Sequence, residues 1–151
     1  MKNYETDVLI VGAGLTGLCL AAILSNFFDR IIIADKNRIN QKTMQTNDIR
    51  TTAISEGSKK ILEGLRLWNN IKNYAQPIKR IKIFDRYQLN KIDFTNPKRN
   101  ENLGYIVENK YLKKSFFKKI IINKRINIIH KFNIKSLDSE ESNIKIFSDN
   151  T

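Results

Sequence analysis

Cysteine is almost missing from this chain of 151 residues, where Cys19 stands alone. A single thiol excludes an intramolecular disulfide framework and a cysteine-built metal site. Histidine is equally scarce, with His130 the one example, and no Ser/His/Asp set or metal-ligand cluster is visible. Only two prolines occur beside 41% hydrophobic residues, so the composition is not that of a disordered chain. No apolar run reaches the ~18 residues of a membrane-spanning helix. The opening Met1-Lys2-Asn3-Tyr4-Glu5-Thr6-Asp7 has no secretory apolar region behind its basic start. With room for about one domain, these absences create the expectation of a soluble, cytoplasmic protein in a reducing compartment.

Acidic residues are also few, 15 against 27 Lys+Arg, and the formal net charge is +12. That excess does not describe a nucleic-acid interface. Lys, Ile and Asn supply 19, 24 and 18 residues, the composition of an AT-rich coding sequence, and the lysines are spread along the whole chain. The densest cluster, Lys113, Lys114, Lys118 and Lys119, recurs at helical spacing and reads as a solvated face. Basic and aromatic residues do not interleave, and charge alone speaks to solubility and weak association. No nucleic-acid partner is expected.

What is present begins with Asp7–Val11, a short apolar run of the kind that forms a buried parallel strand. Leu18–Leu24 is apolar all round and reads as a largely buried helix. Arg30–Asp35 is a second buried strand, so the three pieces form a β-α-β unit. Residues 36–52 read as a polar loop. Ser55 is placed to cap a helix through about Arg66, and Trp68, Ile71 and Ala75 extend a near-helical spacing up to Pro77. Ile81 and Ile83 alternate with basic residues as in a half-exposed strand. Residues 87–103 look loop-like, with Ile92 and Phe94 in alternation. Gly104–Val107 is a strand, and Asn109 opens an amphipathic helix carrying Leu112, Phe116 and Ile120. Residues 126–137 read as one strand, 138–143 as a turn and Ile144–Phe147 as a returning strand.

The sharpest motif lies between the first strand and its helix, Gly12-Ala13-Gly14-Leu15-Thr16-Gly17. Its context is complete: a strand before it, a helix after it, the small Ala21 one turn on, and Asp35 at the end of the second strand. Gly12 permits the tight turn, Gly14 lets a pyrophosphate approach the backbone, and Gly17 relieves helix–sheet packing. The helix N-terminus then offers unpaired N–H groups and partial positive charge to the phosphates. Asp35, followed by Lys36, is placed to accept hydrogen bonds from the adenosine ribose, and its carboxylate disfavours a 2′-phosphate. The motif alone leaves FAD and NAD both open, and a glycine turn that merely packs is the structural alternative.

Further segments bear on that choice: Asp48-Ile49-Arg50-Thr51-Thr52-Ala53-Ile54-Ser55, then Leu65–Trp68, Tyr74–Ile78 and Leu103–Asn109. This series resembles the N-terminal part of the flavoprotein aromatic-ring monooxygenases, and within them the ubiquinone-biosynthesis hydroxylases, which act on prenylated phenols. The resemblance implies an α/β fold: a Rossmann-like FAD-binding domain over residues 1–151, with a β-α-β start and a parallel sheet carrying an added β-hairpin. It implies FAD as cofactor, with Arg50 beside the diphosphate and ribityl region and Asn109 contacting the ribityl chain. A surface arginine and a plain helix N-cap are the structural alternatives for those two residues.

The same resemblance implies that reduced flavin and O₂ deliver one oxygen atom to an electron-rich ring. The partners would be a small prenylated phenol, O₂ and other ubiquinone-biosynthesis proteins, with peripheral contact at the inner membrane. Family members run to several hundred residues. Their later Asp-Gly and Gly-Asp motifs, and the sheet that covers the flavin and shapes the substrate pocket, have no counterpart here, so the domain is expected to be incomplete. No catalytic residue is assigned. His130 is expected to be structural and Cys19 a small buried side chain. A non-catalytic remnant that binds nucleotide weakly, and an NAD-dependent reductase, are the alternative functions.

Overall fold

The computed structural model describes residues 3–40, 48–85, 91–96, 101–140 and 143–148. The expected loop at 36–52, the loop at 87–103 and the turn at 138–143 fall partly outside the described residues. The chain divides into two compact units, Met1–Thr46 with Phe116–Thr151, and Asn47–Ser115.

The first unit contains β1 (Val8–Val11), α1 (Leu15–Leu24), β2 (Ile31–Asp35), β8 (Ile126–His130), β9 (Ile134–Ser139) and β10 (Ile144–Ser148). Its sheet is parallel in the order β1-β2-β8, with Val8 opposite Ile31 and Ile31 opposite Ile126. The central β2 is an unbroken run of β-branched and small residues because neighbours flank it on both sides, and Ile31, Ile32, Ile33 and Ala34 are all buried. Each such isoleucine contributes roughly 1.5–3 kcal/mol by leaving water. Helix α1 is largely buried, as its apolar sequence predicts, with one exposed position along Leu18–Leu24. Leu18, Ala21 and Ala22 are buried, whereas Leu20 is 42% exposed.

The expected single strand over 126–137 is two strands. The break falls at Lys131, whose φ of 56° turns the chain out of the extended region. Beyond it, β9 and β10 form the added antiparallel hairpin. Phe132 N–H donates to the Asp35 carbonyl at 2.9 Å, which fastens this break to the end of β2.

The second unit holds β3 (Thr51–Ser55), α2 (Glu56–Gly64), α3 (Trp68–Ile71), a 3₁₀ turn (Lys72–Tyr74), β4 (Ala75–Ile78), β5 (Arg80–Phe84), β6 (Lys91–Thr95) and β7 (Gly104–Glu108). The last helix, α4 (Asn109–Ile121), starts in this unit and ends in the first. Ser55 caps α2 as its spacing predicts, accepting from Ser58 N–H at 3.1 Å. Leu112, Phe116 and Ile120 are buried along α4, as their four-residue repeat requires.

Two expectations fail in the second unit. Thr51 and Thr52, expected to end a loop, instead open the strand Thr51–Ser55, and Ala75–Ile78 is a strand rather than the end of a helix. Both pair antiparallel with β7, in the order β3-β7-β4. Pro77 is tolerated because β4 lies at an edge. The β5–β6 hairpin is more exposed than expected, since every residue of both strands is exposed and the strands pair with each other. Trp68 is 8% exposed and meets Tyr105 edge-on, with ring centroids 4.9 Å apart.

Candidate cofactor-binding site

In the first unit β1 runs into Gly12, whose φ of +103° is a conformation that side chains disfavour. The Gly12 N–H reaches across to the Ala34 carbonyl at 2.7 Å, closing the turn onto β2. Helix α1 then starts three residues earlier than expected, at Leu15, so Leu15, Thr16 and Gly17 form its first turn. Gly17 has no room for a side chain: a Cβ there would lie 2.0 Å from the Gly12 carbonyl oxygen. Gly14 is the opposite case. It is the N-cap, its φ of −68° and ψ of 178° suit any residue, and a Cβ there would meet nothing within 4 Å.

The open space at Gly14 is coupled to an unfilled electrostatic demand. Helix α1 has no side-chain cap and no acid in its first turn, so its leading N–H groups and partial positive charge are left for an external acceptor. These features fit a dinucleotide diphosphate approaching the backbone. Asp35, half-buried at the end of β2, sits beside the turn. Its Oδ2 accepts from Ala13 N–H at 2.7 Å and its Oδ1 from Asn37 N–H at 2.8 Å. Each carboxylate oxygen keeps a second lone pair, so this internal task is compatible with a ribose hydroxyl. Lys36 is exposed.

The second unit brings Arg50 and Asn109 together at one end of the β3–β7 pair. The Asn109 N–H donates to the Arg50 carbonyl at 2.9 Å. Asn109 Oδ1 accepts from Thr52 Oγ1 at 2.6 Å, and its amide nitrogen has no partner among the described residues. Arg50 is 74% exposed, and its guanidinium forks onto Asp48, Nε to Oδ1 at 2.7 Å and Nη2 to Oδ2 at 2.9 Å. Lys113 Nζ donates to the same Oδ2 at 2.8 Å, although the two residues are 65 apart in sequence. The Asp48 side chain is only 7% exposed. The Arg50 fork first, and Lys113 second, hold its carboxyl well below the usual carboxylate range.

Lys113 therefore corrects the sequence reading. It is not part of a solvated face: its side chain is 17% exposed and bound to a buried carboxylate. Lysines at helical spacing look alike from sequence, and only the pairing of β3 with β7 singles this one out. His130 is a structural acceptor, its Nδ1 receiving Ile39 N–H at 3.1 Å. Burial pushes the Cys19 thiol up, which opposes thiolate chemistry.

The family model of the FAD binding domain matches residues 5–128. The chain belongs to the FAD-binding domain family. FAD, rather than NAD, is thus its cofactor. The ubiquinone hydroxylase UbiL of Rhodospirillum rubrum is 27% identical over 114 residues, which cover 76% of this chain and 27% of that protein. The 3-demethoxyubiquinol 3-hydroxylase of Escherichia coli is 25% identical over 130 residues, covering 85% and 33%. PqsL, a probable FAD-dependent monooxygenase from Pseudomonas aeruginosa, superposes with a TM-score of 0.69 at 15% identity, over 92% of this chain and 36% of its own. That likeness establishes the Rossmann-like α/β fold. The chain spans between a quarter and a third of the length of these two curated relatives.

Proposed function

We propose that this chain is the N-terminal portion of a flavin-dependent monooxygenase that hydroxylates a prenylated phenol in ubiquinone biosynthesis. In this reading residues 1–151 contribute the FAD-binding part, and the part that covers the substrate lies outside them. Gly12, Ala13, Gly14, Leu15, Thr16 and Gly17 form the turn that receives the cofactor diphosphate, with the uncapped N–H groups at the start of α1 as its donors. Asp35 receives the adenosine ribose with Lys36 beside it, and Arg50 and Asn109 meet the diphosphate and ribityl region. FAD supplies the oxygen-activating chemistry when bound, while the protein supplies binding and orientation.

The observation that carries this reading is the open approach at Gly14 onto an uncapped helix start. The names of the two hydroxylases, one of ubiquinone and one of 3-demethoxyubiquinol, support a prenylated phenol as the substrate class. No helix among the described residues is long and apolar enough to cross a membrane. A polyprenyl tail partitions into lipid, so the reading includes a cytoplasmic protein touching the inner membrane peripherally, with exposed lysines toward anionic headgroups and other ubiquinone-biosynthesis proteins nearby.

The test is a titration with FAD followed by flavin fluorescence, on the wild type and on Gly14→Val. Weak binding is expected for the wild type, given its share of the relatives' length. The variant should keep the far-UV dichroism and lose binding at least tenfold, because a side chain then fills the phosphate approach. Equal binding by the two proteins would remove the turn from the site, and tight stoichiometric FAD would contradict a partial site.

A further inference from the structure

The Asp48 side chain is nearly buried, yet the side chain of the arginine it grips is 74% exposed. Four donors converge on this carboxylate: Arg50 Nε and Nη2, Lys113 Nζ, and the Arg50 backbone N–H at 3.2 Å. A two-pronged fork fixes the plane of a guanidinium as well as its distance. Here it commits Nε and Nη2 to the protein and leaves Nη1 with no acceptor among the described residues. The main chain at the same residue is pinned by Asn109 N–H. The arginine is thus held at both its root and its tip, with one edge free.

We infer that Asp48 is a positioning residue, which orients Arg50 so that its free edge meets the anionic diphosphate of the cofactor. The inference rests on the proposed reading in which Arg50 contacts FAD. An arginine already immobilised before binding avoids the ordering cost that a free side chain would incur. The arrangement also has a cost, because a carboxylate near a diphosphate opposes the anion. Lys113 offsets it, leaving the three groups with a net charge of +1. Charge and geometry therefore give opposite expectations for removing the Asp48 charge. If charge alone mattered, the variant would bind FAD more tightly; if positioning matters, it binds less tightly.

The experiment is a double-mutant cycle on FAD affinity with Asp48→Asn, Arg50→Met and both together, each variant checked by its thermal midpoint in far-UV dichroism. Arg50→Met is expected to weaken binding about tenfold, the scale of a charged hydrogen bond. Asp48→Asn is expected to weaken it comparably, and the double variant to be no weaker than Arg50→Met. Asp48→Glu, which keeps the charge but moves it by one methylene, decides the matter if the asparagine variant does not fold. It too is expected to bind more weakly. Unchanged or tighter binding by the folded Asp48 variant, beside a weakened Arg50→Met, overturns the positioning role and leaves the Arg50 contact standing. Losses that add in the double variant assign Asp48 to the fold instead and overturn it as well. A wild type that binds no FAD, or an Arg50→Met variant that binds like wild type, overturns the reading beneath it and this inference together.

Discussion

The glycine turn of the first unit and the Asp48 cluster of the second are built by contrasting means. The turn is made of backbone: its shape comes from Gly12 at φ +103°, from the absent Cβ at Gly17, and from N–H groups left uncapped at the start of α1. The cluster is made of side chains, with a buried carboxylate organising two cations. Backbone geometry is encoded within a dozen consecutive residues. Side-chain geometry is assembled from Asp48, Arg50 and the distant Lys113. One feature is therefore resistant to charge changes and intolerant of added atoms, and the other has the reverse sensitivities.

The strongest way to break this contrast is Gly17→Val. Its Cβ would have to displace the Gly12 carbonyl, which is backbone and cannot yield cheaply. We expect destabilisation of about 3 kcal/mol, as for a forced overpacking, read as a lowered urea midpoint, with FAD binding lost as well. Beside it, Gly14→Val should keep the fold. A Gly17→Val protein as stable as wild type would show that the turn is not set by the missing side chain.

Acid sharpens the contrast from the other side. The Asp48 carboxyl is held below its unfolded value of about 3.9. The stability it contributes is fully present above that value and is lost as the pH falls below about 4 toward the folded value. Urea midpoints measured from pH 5 down to pH 3 should fall more steeply for wild type than for Asp48→Asn. A residual slope will remain in both, because Arg30 lowers Asp7 and Arg80 lowers Asp93 in the same way. Parallel slopes would remove Asp48 as a source of acid sensitivity. The smallest effect is expected for Thr52→Val, which deletes the 2.6 Å hydrogen bond to Asn109 and should cost about 1 kcal/mol of stability.

The same division governed what could be read from the sequence. The β-α-β start, Asp35 and the capped α2 were legible because local spacing dictates them. The strand Thr51–Ser55 was not, because only Ile54 is buried and its pairing partner, Gly104–Glu108, lies far along the chain. Ala75 carried a helical spacing from Trp68 and Ile71, but the 3₁₀ turn ending at Tyr74 releases it into an edge strand. Lys131 carried no turn signal at all, since lysine is not a residue that favours positive φ. Within the candidate site, the turn followed from its motif. The burial of Lys113 required knowing which strands meet.

The lone indole of the molecule has a practical consequence. Trp68 lies sealed in the second unit, and the first has no tryptophan to match it. Its emission reports water entry into one half only, whereas dichroism averages over both. Superimposed melting traces from these two probes would mean that the halves come apart as a single cooperative body, and separated traces would date the opening of each.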